Sequence, residues 1–307
     1  MKKILYTAVL SLFGLVVMAQ NDVQYTHHLF NRLAYNPAYA GSQCAPVLNG
    51  TYRNQWAGLD KAPETGRLEF HTPFLGNRHG LGIGLTYDKA AIFRNTYVDL
   101  NYSYKIPISE KGTLALGIKG QFDNGRANFQ DTNPLDLNDQ FLSGGERTNT
   151  EFNIGVGAYY TQNNFYLGLS VPQLRESSFF DQVGISGDGD DFRTWYLMGG
   201  FVTDLSNNVK LIPGFLISQN SNAPFELDIN ANLVFMEKLW LGLNYRLGDS
   251  IDGLIQYQLS DRLRAGLSYD FTTTMLNNVS NGSVEANVNY MFGGGCNDNE
   301  ISNLRFF

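Results

Sequence analysis

The sequence predicts an all-β fold: a closed antiparallel transmembrane β-barrel of about 14 strands with an N-terminal non-barrel segment. Three observations predict it. Apolar residues recur at every second position, the connections sort into short and long, and charge is sparse. HGLGIGLTYD puts Leu81, Ile83, Leu85 and Tyr87 on one face and Gly82, Gly84 and Thr86 on the other. The pattern returns in EFNIGVGAYY from Glu151, LWLGLNYRL from Leu239, LRAGLSYDF from Leu263 and SVEANVNYMF from Ser283. A period of two belongs to strands, because successive side chains point to opposite faces of the sheet. The apolar face must meet either a second sheet, as in an exported soluble β domain, or lipid.

Composition favours lipid. Charged residues make up 17% of the chain, below the roughly 25% usual in soluble domains. Gly, at 32 residues, and aromatics, at 13%, are abundant. That mixture suits strands with one lipid face and one face turned to a wet or crowded interior. No run reaches the roughly 18 apolar residues of a membrane helix. The formal charge of -7 gives no support to nucleic-acid binding, which calls for a basic patch.

In order, the alternation predicts strands over 46–56, 63–73, 79–88, 94–106, 112–123, 151–161, 164–171, 192–204, 208–219, 224–236, 238–247, 250–259, 262–272 and 282–292. The count is even, as in single-chain bacterial outer-membrane barrels. The first two are the least regular, because GTYRNQW and TGRLEFH carry charge. With the N-terminus periplasmic, even-numbered connections are expected to be tight, and those near 161–164, 204–208, 236–238 and 259–262 are. The odd connections 124–150, 172–191 and 273–281 are long and expected outside the cell, although those near Lys89 and Gly248 are short and the even one near Pro73–Asn77 is of middle length. Closure removes sheet edges, whose unpaired backbone groups each cost several kcal/mol in hydrocarbon. Aromatics near strand ends (Tyr87, Tyr97, Tyr102, Tyr104, Tyr159, Tyr160, Trp195, Tyr196, Trp240 and Tyr269) are candidates for the headgroup layers.

Residues 1–19 read as a signal peptide: Lys2 and Lys3, an apolar centre, then Ala19 at the cleavage point with Val17 two before it. Gln20 rather than Cys follows, so lipid attachment is not expected there. Residues 20–45 form a periplasmic or plug-like segment, with a short helix expected over 25–33 and ended by Asn36-Pro37. Its expected anchors are Tyr25, Phe30, Leu33 and Tyr39. Residues 46–292 make the barrel and 293–307 a periplasmic tail. Cys44 precedes the first strand and Cys296 follows the last, so closure puts both at one rim. Export into an oxidising compartment permits a disulfide between them; the flexible run Gly293-Gly294-Gly295 leaves two free thiols as the alternative.

Catalysis, cofactor and metal are not expected. All four His (His27, His28, His71, His79) lie before residue 80 and no nucleophile elbow accompanies them. None has ligand spacing from a Cys, and His27 and His28 read as helix-surface residues. HGLGIG alternates as a strand and opens no helix, which argues against a dinucleotide site. The acidic GDGDD, Gly187 to Asp191, lacks the full pattern of a calcium loop and reads as a solvated tip.

QYTHHLFNRLAYNPAYAG (Gln24 to Gly41), YRNQWAGLDKAPET (Tyr52 to Thr65) and GLGIGLTYD (Gly80 to Asp88) resemble the PorP/SprF family. These are outer-membrane proteins of the type IX secretion and gliding-motility systems of Bacteroidetes. The specific part is the pair of blocks NPAYAG from Asn36 and RNQW from Arg53; the closing ISNLRFF is also similar. Leu29-Phe30-Asn31 departs from the family, which often has Met before the Asn. The resemblance covers essentially the whole chain after residue 19. It implies a non-enzymatic barrel that retains, or helps export, a large surface protein such as an adhesin through its C-terminal region. Periplasmic secretion or motility components are the other implied partners. Candidate partner or plug contacts are Tyr25, Asn36, Pro37, Tyr39, Gly41, Arg53, Gln55 and Trp56.

Inward glycines (Gly82, Gly84, Gly155, Gly157, Gly168, Gly242 and Gly266) leave room for a partner polypeptide or for the chain's own N-terminal segment. They also suit tightly coiled strands. Transport of hydrophobic solutes is the alternative function, because fatty-acid channels share fourteen strands and an N-terminal hatch. A structural porin ranks third, since few inward Arg and Lys are expected to ring a constriction.

Overall fold

The two faces of each strand separate by chemistry, and the polar face is the buried one. On the strand from His79, Leu81, Ile83, Leu85 and Tyr87 are 46–47% exposed while Thr86 is 4% exposed. On the strand from Ser250, Ile251, Ile255 and Tyr257 point outward while Asp252 and Gln256 are buried. Apolar outside and polar inside is the inverse of a soluble sandwich and is the pattern of a wall in lipid. The computed structural model describes residues 23–129, 145–175, 193–220 and 225–293. The expected signal peptide, the GDGDD segment and Cys296 lie outside the described residues.

Fourteen strands close into one antiparallel barrel. They are β1 (Val47–Asn54), β2 (Glu64–Phe74), β3 (His79–Ala90), β4 (Phe93–Pro107), β5 (Gly112–Asn128), β6 (Glu146–Gln162) and β7 (Phe165–Val171). Then follow β8 (Thr194–Phe201 and Thr203–Ser206), β9 (Val209–Asn220), β10 (Glu226–Phe235), β11 (Leu239–Arg246), β12 (Ser250–Gln258), β13 (Leu263–Thr272) and β14 (Ser283–Met291). The two pieces of β8 both pair with β9 and part at Val202, whose N–H bonds the Asn164 carbonyl. Each strand pairs with its sequence neighbours, and β14 closes on β1 from Val47↔Met291 to Asn54↔Val284. At the rim where β1 begins, the connections 75–78, 108–111, 163–164, 207–208, 236–238 and 259–262 are all tight. The opposite rim carries 55–63, 129–145, 172–193 and 273–282, with shorter connections at 91–92, 221–225 and 247–249. Short turns face the periplasm in outer-membrane barrels.

Three expectations need correction. The segment 124–150 is not all loop: β5 and β6 are 17 residues each and stay paired from Asn124↔Thr150 to Asn128↔Glu146. At about 3.3 Å per residue they rise well past a hydrocarbon layer, and their solvated ends lose the apolar alternation. β1 and β2 are as regular as the rest, because their charges (Arg53, Arg67 and Glu69) point into the lumen and are buried. The helix expected over 25–33 is instead a turn at 26–30, one turn of α1 (Arg32–Tyr35) and a 3-10 turn over Pro37–Tyr39.

Candidate functional site

Residues 23–46 run through the lumen as a strap. Tyr25, Leu29, Leu33, Tyr35, Ala38, Tyr39 and Ala40 are buried apolar side chains of the strap, and Tyr159, Tyr166, Tyr196, Met198 and Trp240 from the wall belong to the same cluster. Among the described residues, no helix is long and apolar enough to cross a membrane.

The strap's first half is held by charge. Glu285 on β14 accepts from the backbone N–H groups of Thr26 and His27, each at 2.9 Å, and from His27 Nδ1 at 2.9 Å. Thr26 Oγ1 donates to Asp270 on β13 at 2.7 Å. Arg53 on β1 completes the cluster: Nη2 lies 2.7 Å from Asp270, Nη1 lies 3.3 Å from Glu285, and Nη1 donates to Thr26 Oγ1 at 2.7 Å. The Asn31 side chain bonds back to the His27 carbonyl at 3.2 Å, and the Asn31 N–H is shared between the carbonyls of His27 and His28, so the 26–30 turn closes at Asn31 and does not continue as a helix. Asn31 Oδ1 then accepts from Asn49 Nδ2 at 2.6 Å and Thr51 Oγ1 at 2.8 Å, both from β1. His27 and His28 are buried, not helix-surface residues as the sequence suggested. His28 Nε2 lies 2.9 Å from Asn230 Nδ2, and burial pushes its imidazole down to about 4.

The second half is held by fit. Asn36 Oδ1 accepts from the Ala38 N–H at 2.9 Å, capping the 3-10 turn that Pro37 starts. Its Nδ2 donates to the wall carbonyls of Ala158 (3.0 Å) and Leu169 (3.4 Å). A Cβ on Gly117 would overlap the backbone of Pro37 and Ala38, and one on Gly80 the carbonyl of Ala40. Gly157 and Gly168 make the same allowance for Asn36, and Gly82 for Leu33. Gly41 (φ +61°) turns the strap out, and a Cβ there would come 2.7 Å from Gly80 Cα. Lys105 Nζ donates to the Gly41 carbonyl, Ser103 Oγ to Ala40 O at 2.7 Å, and Ser170 Oγ to Tyr35 O at 2.8 Å. Tyr39 meets His71 and Tyr159 edge-on, with centroids at 5.4 and 5.5 Å. Arg32 lies over the Tyr166 ring at 4.2 Å and donates to Tyr159 Oη at 3.2 Å.

The structure therefore brings Tyr25, Asn36, Pro37, Tyr39, Gly41 and Arg53 together at the strap. Gln55 and Trp56 stand apart, in the connection that follows β1. The Gln55 N–H donates to Pro63 O at 2.9 Å. Trp56 has φ +52°, and its N–H donates to Ser283 Oγ at 3.1 Å, tying that connection to the start of β14. Of the inward glycines, Gly82, Gly157 and Gly168 meet the strap; Gly155 meets Pro172 O, while Gly84, Gly242 and Gly266 meet side chains of the wall itself.

Two further corrections concern the inner face. Tyr159, Tyr196 and Trp240 are buried in the lumen and do not belong to a headgroup girdle; Tyr87, Tyr104, Trp195 and Tyr269 do point outward. Inward cations are not scarce: Arg53, Arg67, Lys119, Arg246 and Arg264 are buried there. They are matched locally, Arg67 to Glu69 (2.8 Å) and Asp99 (2.9 Å), and Arg246 to Asp228 (2.9 Å). Arg264 lies over the rings of Phe30 and Trp240. Sequence reasoning missed Thr26, Asn31, Arg32, Asp270 and Glu285. Thr26, Asn31 and Arg32 lie inside the quoted block, but β13 and β14 carry no local sign that their carboxylates meet it.

Among the described residues, no group of His, Cys, Asp and Glu is placed to hold a metal. Cys44 is disulfide-bonded.

Comparison with known proteins decides the family. The profile of the type IX secretion system membrane protein PorP/SprF family matches residues 17–290. The chain belongs to the PorP/SprF family. It is thus an outer-membrane β-barrel of type IX secretion, and membrane-associated secretion machinery is its setting. That family and fold are non-enzymatic in kind. No curated protein matches the chain. Among solved structures, the outer membrane protein Omp33 of Acinetobacter baumannii is similar at 10% identity and TM-score 0.50, over 82% of this chain and 100% of that one. A FadL homologue of Pseudomonas aeruginosa is similar at 10% identity and TM-score 0.48, over 91% and 96%. The CymD monoaromatic hydrocarbon channel gives 10% identity and TM-score 0.49, over 92% and 96%. At these identities the likeness concerns the barrel fold alone.

Proposed function

We propose that this PorP/SprF barrel retains, or helps export, a large surface protein such as an adhesin. It would do so through that partner's C-terminal region and with periplasmic machine components, not by conducting solutes. The observation that carries the reading is the strap, which runs through the lumen and is bonded to the wall by both charge and close fit. A protein-holding role needs a rigid barrel with two rims to offer, and it needs no open path. Gln55 and Trp56, outside the strap, are the candidate partner contacts at the long-loop rim. Cys44 and Cys296 are proposed to pair at the periplasmic rim. In support, β1 meets β14 there and the Phe292 N–H donates to Pro46 O at 2.8 Å. Intact mass without reductant, followed by peptide mapping, checks that pairing; a mixed disulfide with another chain would make Cys44 a partner attachment.

Affinity purification from native outer membrane tests the function. A co-purifying surface protein or periplasmic secretion components is the expected result. A monomer carrying bound lipid or hydrophobic solute would move the assignment to transport.

A further inference from the structure

Four buried carboxylates stand on the inner face of β10 to β14: Asp228, Asp252, Asp270 and Glu285. Three of them have an arginine. Asp228 lies 2.9 Å from Arg246, Asp270 lies 2.7 Å from Arg53, and Glu285 lies 3.3 Å from Arg53. Asp252, 0% exposed, has no ion pair among the described residues. It stands directly opposite Asp270 in the pairing of β12 with β13, where like charges repel. The strap brings no cation to this wall. Arg32, the only Lys or Arg in residues 23–46, lies over the Tyr166 ring on β7.

Oxygen atoms gather round the unmatched carboxylate. Asn244 on β11 is its cross-strand neighbour and donates Nδ2 to Asp252 Oδ2 at 2.7 Å. That bond sets Asn244 Oδ1 and Asp252 Oδ1 side by side, both buried and both without a hydrogen-bond partner among the described residues. Ser268 Oγ, one rung toward the short-turn rim on β13, is buried and unpartnered as well. Asn244 is 2% and Ser268 4% exposed. An ionised carboxylate held in such a place without a counter-charge is costly, and hard cations take oxygen ligands.

We propose that Asp252, with the Asn244 amide oxygen and the Ser268 hydroxyl, binds a monovalent cation, sodium or potassium, on the lumen wall beside the strap. One unmatched carboxylate calls for one positive charge. A divalent ion would call for further anionic ligands, and no group of His, Cys, Asp and Glu is placed to supply them among the described residues. A proton on Asp252 would serve one of the three oxygens, whereas a cation serves them together. The ion also screens Asp252 from Asp270, the carboxylate that holds Thr26 Oγ1, so it belongs to the charged lock on the strap. The site does not depend on which protein the barrel holds.

Thallium(I), a heavy stand-in for sodium and potassium, tests it. Crystals of the full barrel soaked in a thallium salt are expected to show an anomalous peak among Asp252, Asn244 and Ser268. Excess sodium or potassium should displace the peak, choline should not, and Asp252→Asn should lose it. A wild-type barrel without a peak there overturns the inference and leaves a proton or water to serve Asp252. A peak that survives in Asp252→Asn also overturns it. So does one that excess sodium and potassium leave in place, which marks an adventitious ion only. The wild-type crystals decide the first point by themselves, whether or not the variant folds.

Discussion

The two halves of the strap are held by different physics. From Thr26 to Asn31 the wall offers formal charge and amide groups: Arg53, Asp270, Glu285 and Asn49. From Leu33 to Gly41 it offers absence of side chain: Gly80 and Gly117 let backbone approach backbone, and Gly82, Gly157 and Gly168 make room for the side chains of Leu33 and Asn36. The first half lies along the β13–β14–β1 seam and the second along β3 to β7. Charged contacts reward correct pairing and punish the loss of one partner, whereas close fit punishes any added atom. The strap is therefore sensitive to deletion at one wall and to addition at the other.

The largest effect is expected from deletion at the charged wall. Glu285→Ala leaves Arg53 and His27 buried without their shared carboxylate, a loss of roughly 3–5 kcal/mol for a broken buried pair. Arg32 is the only Lys or Arg between residues 20 and 46, so trypsin cleavage there reports undocking. Wild-type barrel should resist, Glu285→Ala should be cut, and unchanged protection would remove the charged wall from the account.

Addition at the fitted wall comes next. Gly117→Val adds atoms where the backbone of Pro37 and Ala38 already lies, and overpacking of this kind costs roughly 1–3 kcal/mol. Cleavage at Arg32 should rise while the heat-modifiable migration of the barrel stays. Valine tolerated there without any change in protection would show that the strap lies elsewhere.

Acid provides a graded version. His28 is buried near Asp228, Arg246 and Arg32, and its pKa is lowered to about 4 from an ordinary 6.5. The docked strap thus binds fewer protons than the released one, so docking is fully favoured above about 6.5. His28 weakens it as pH falls from there toward about 4. His28→Gln should flatten that part of the pH profile of Arg32 cleavage, and an unchanged profile would acquit His28.

Much of this was legible. The wall was, since the lipid face repeats locally, as Leu81, Ile83 and Leu85 show. The path of the strap was not, because the partners of Thr26 and His27 lie more than 240 residues away, on Asp270 and Glu285. Inward tyrosines also read like girdle residues, since β propensity and lumen packing select the same rings. Tyr159 and Tyr196 are the cases in point.

The smallest effect on the strap is expected from Trp56→Ala, because Trp56 lies beyond both halves. Heat-modifiable folded barrel should persist while recovery of the surface partner falls. Wild-type levels of both would leave RNQW's tryptophan without a special role.

The most direct test of a strap-filled lumen is ion conductance of the purified barrel in a planar bilayer. Wild-type protein should give no sustained open steps, and Gly117→Val should open them as the strap leaves. Steady conductance from wild type, equal to that of Gly117→Val, would contradict the account.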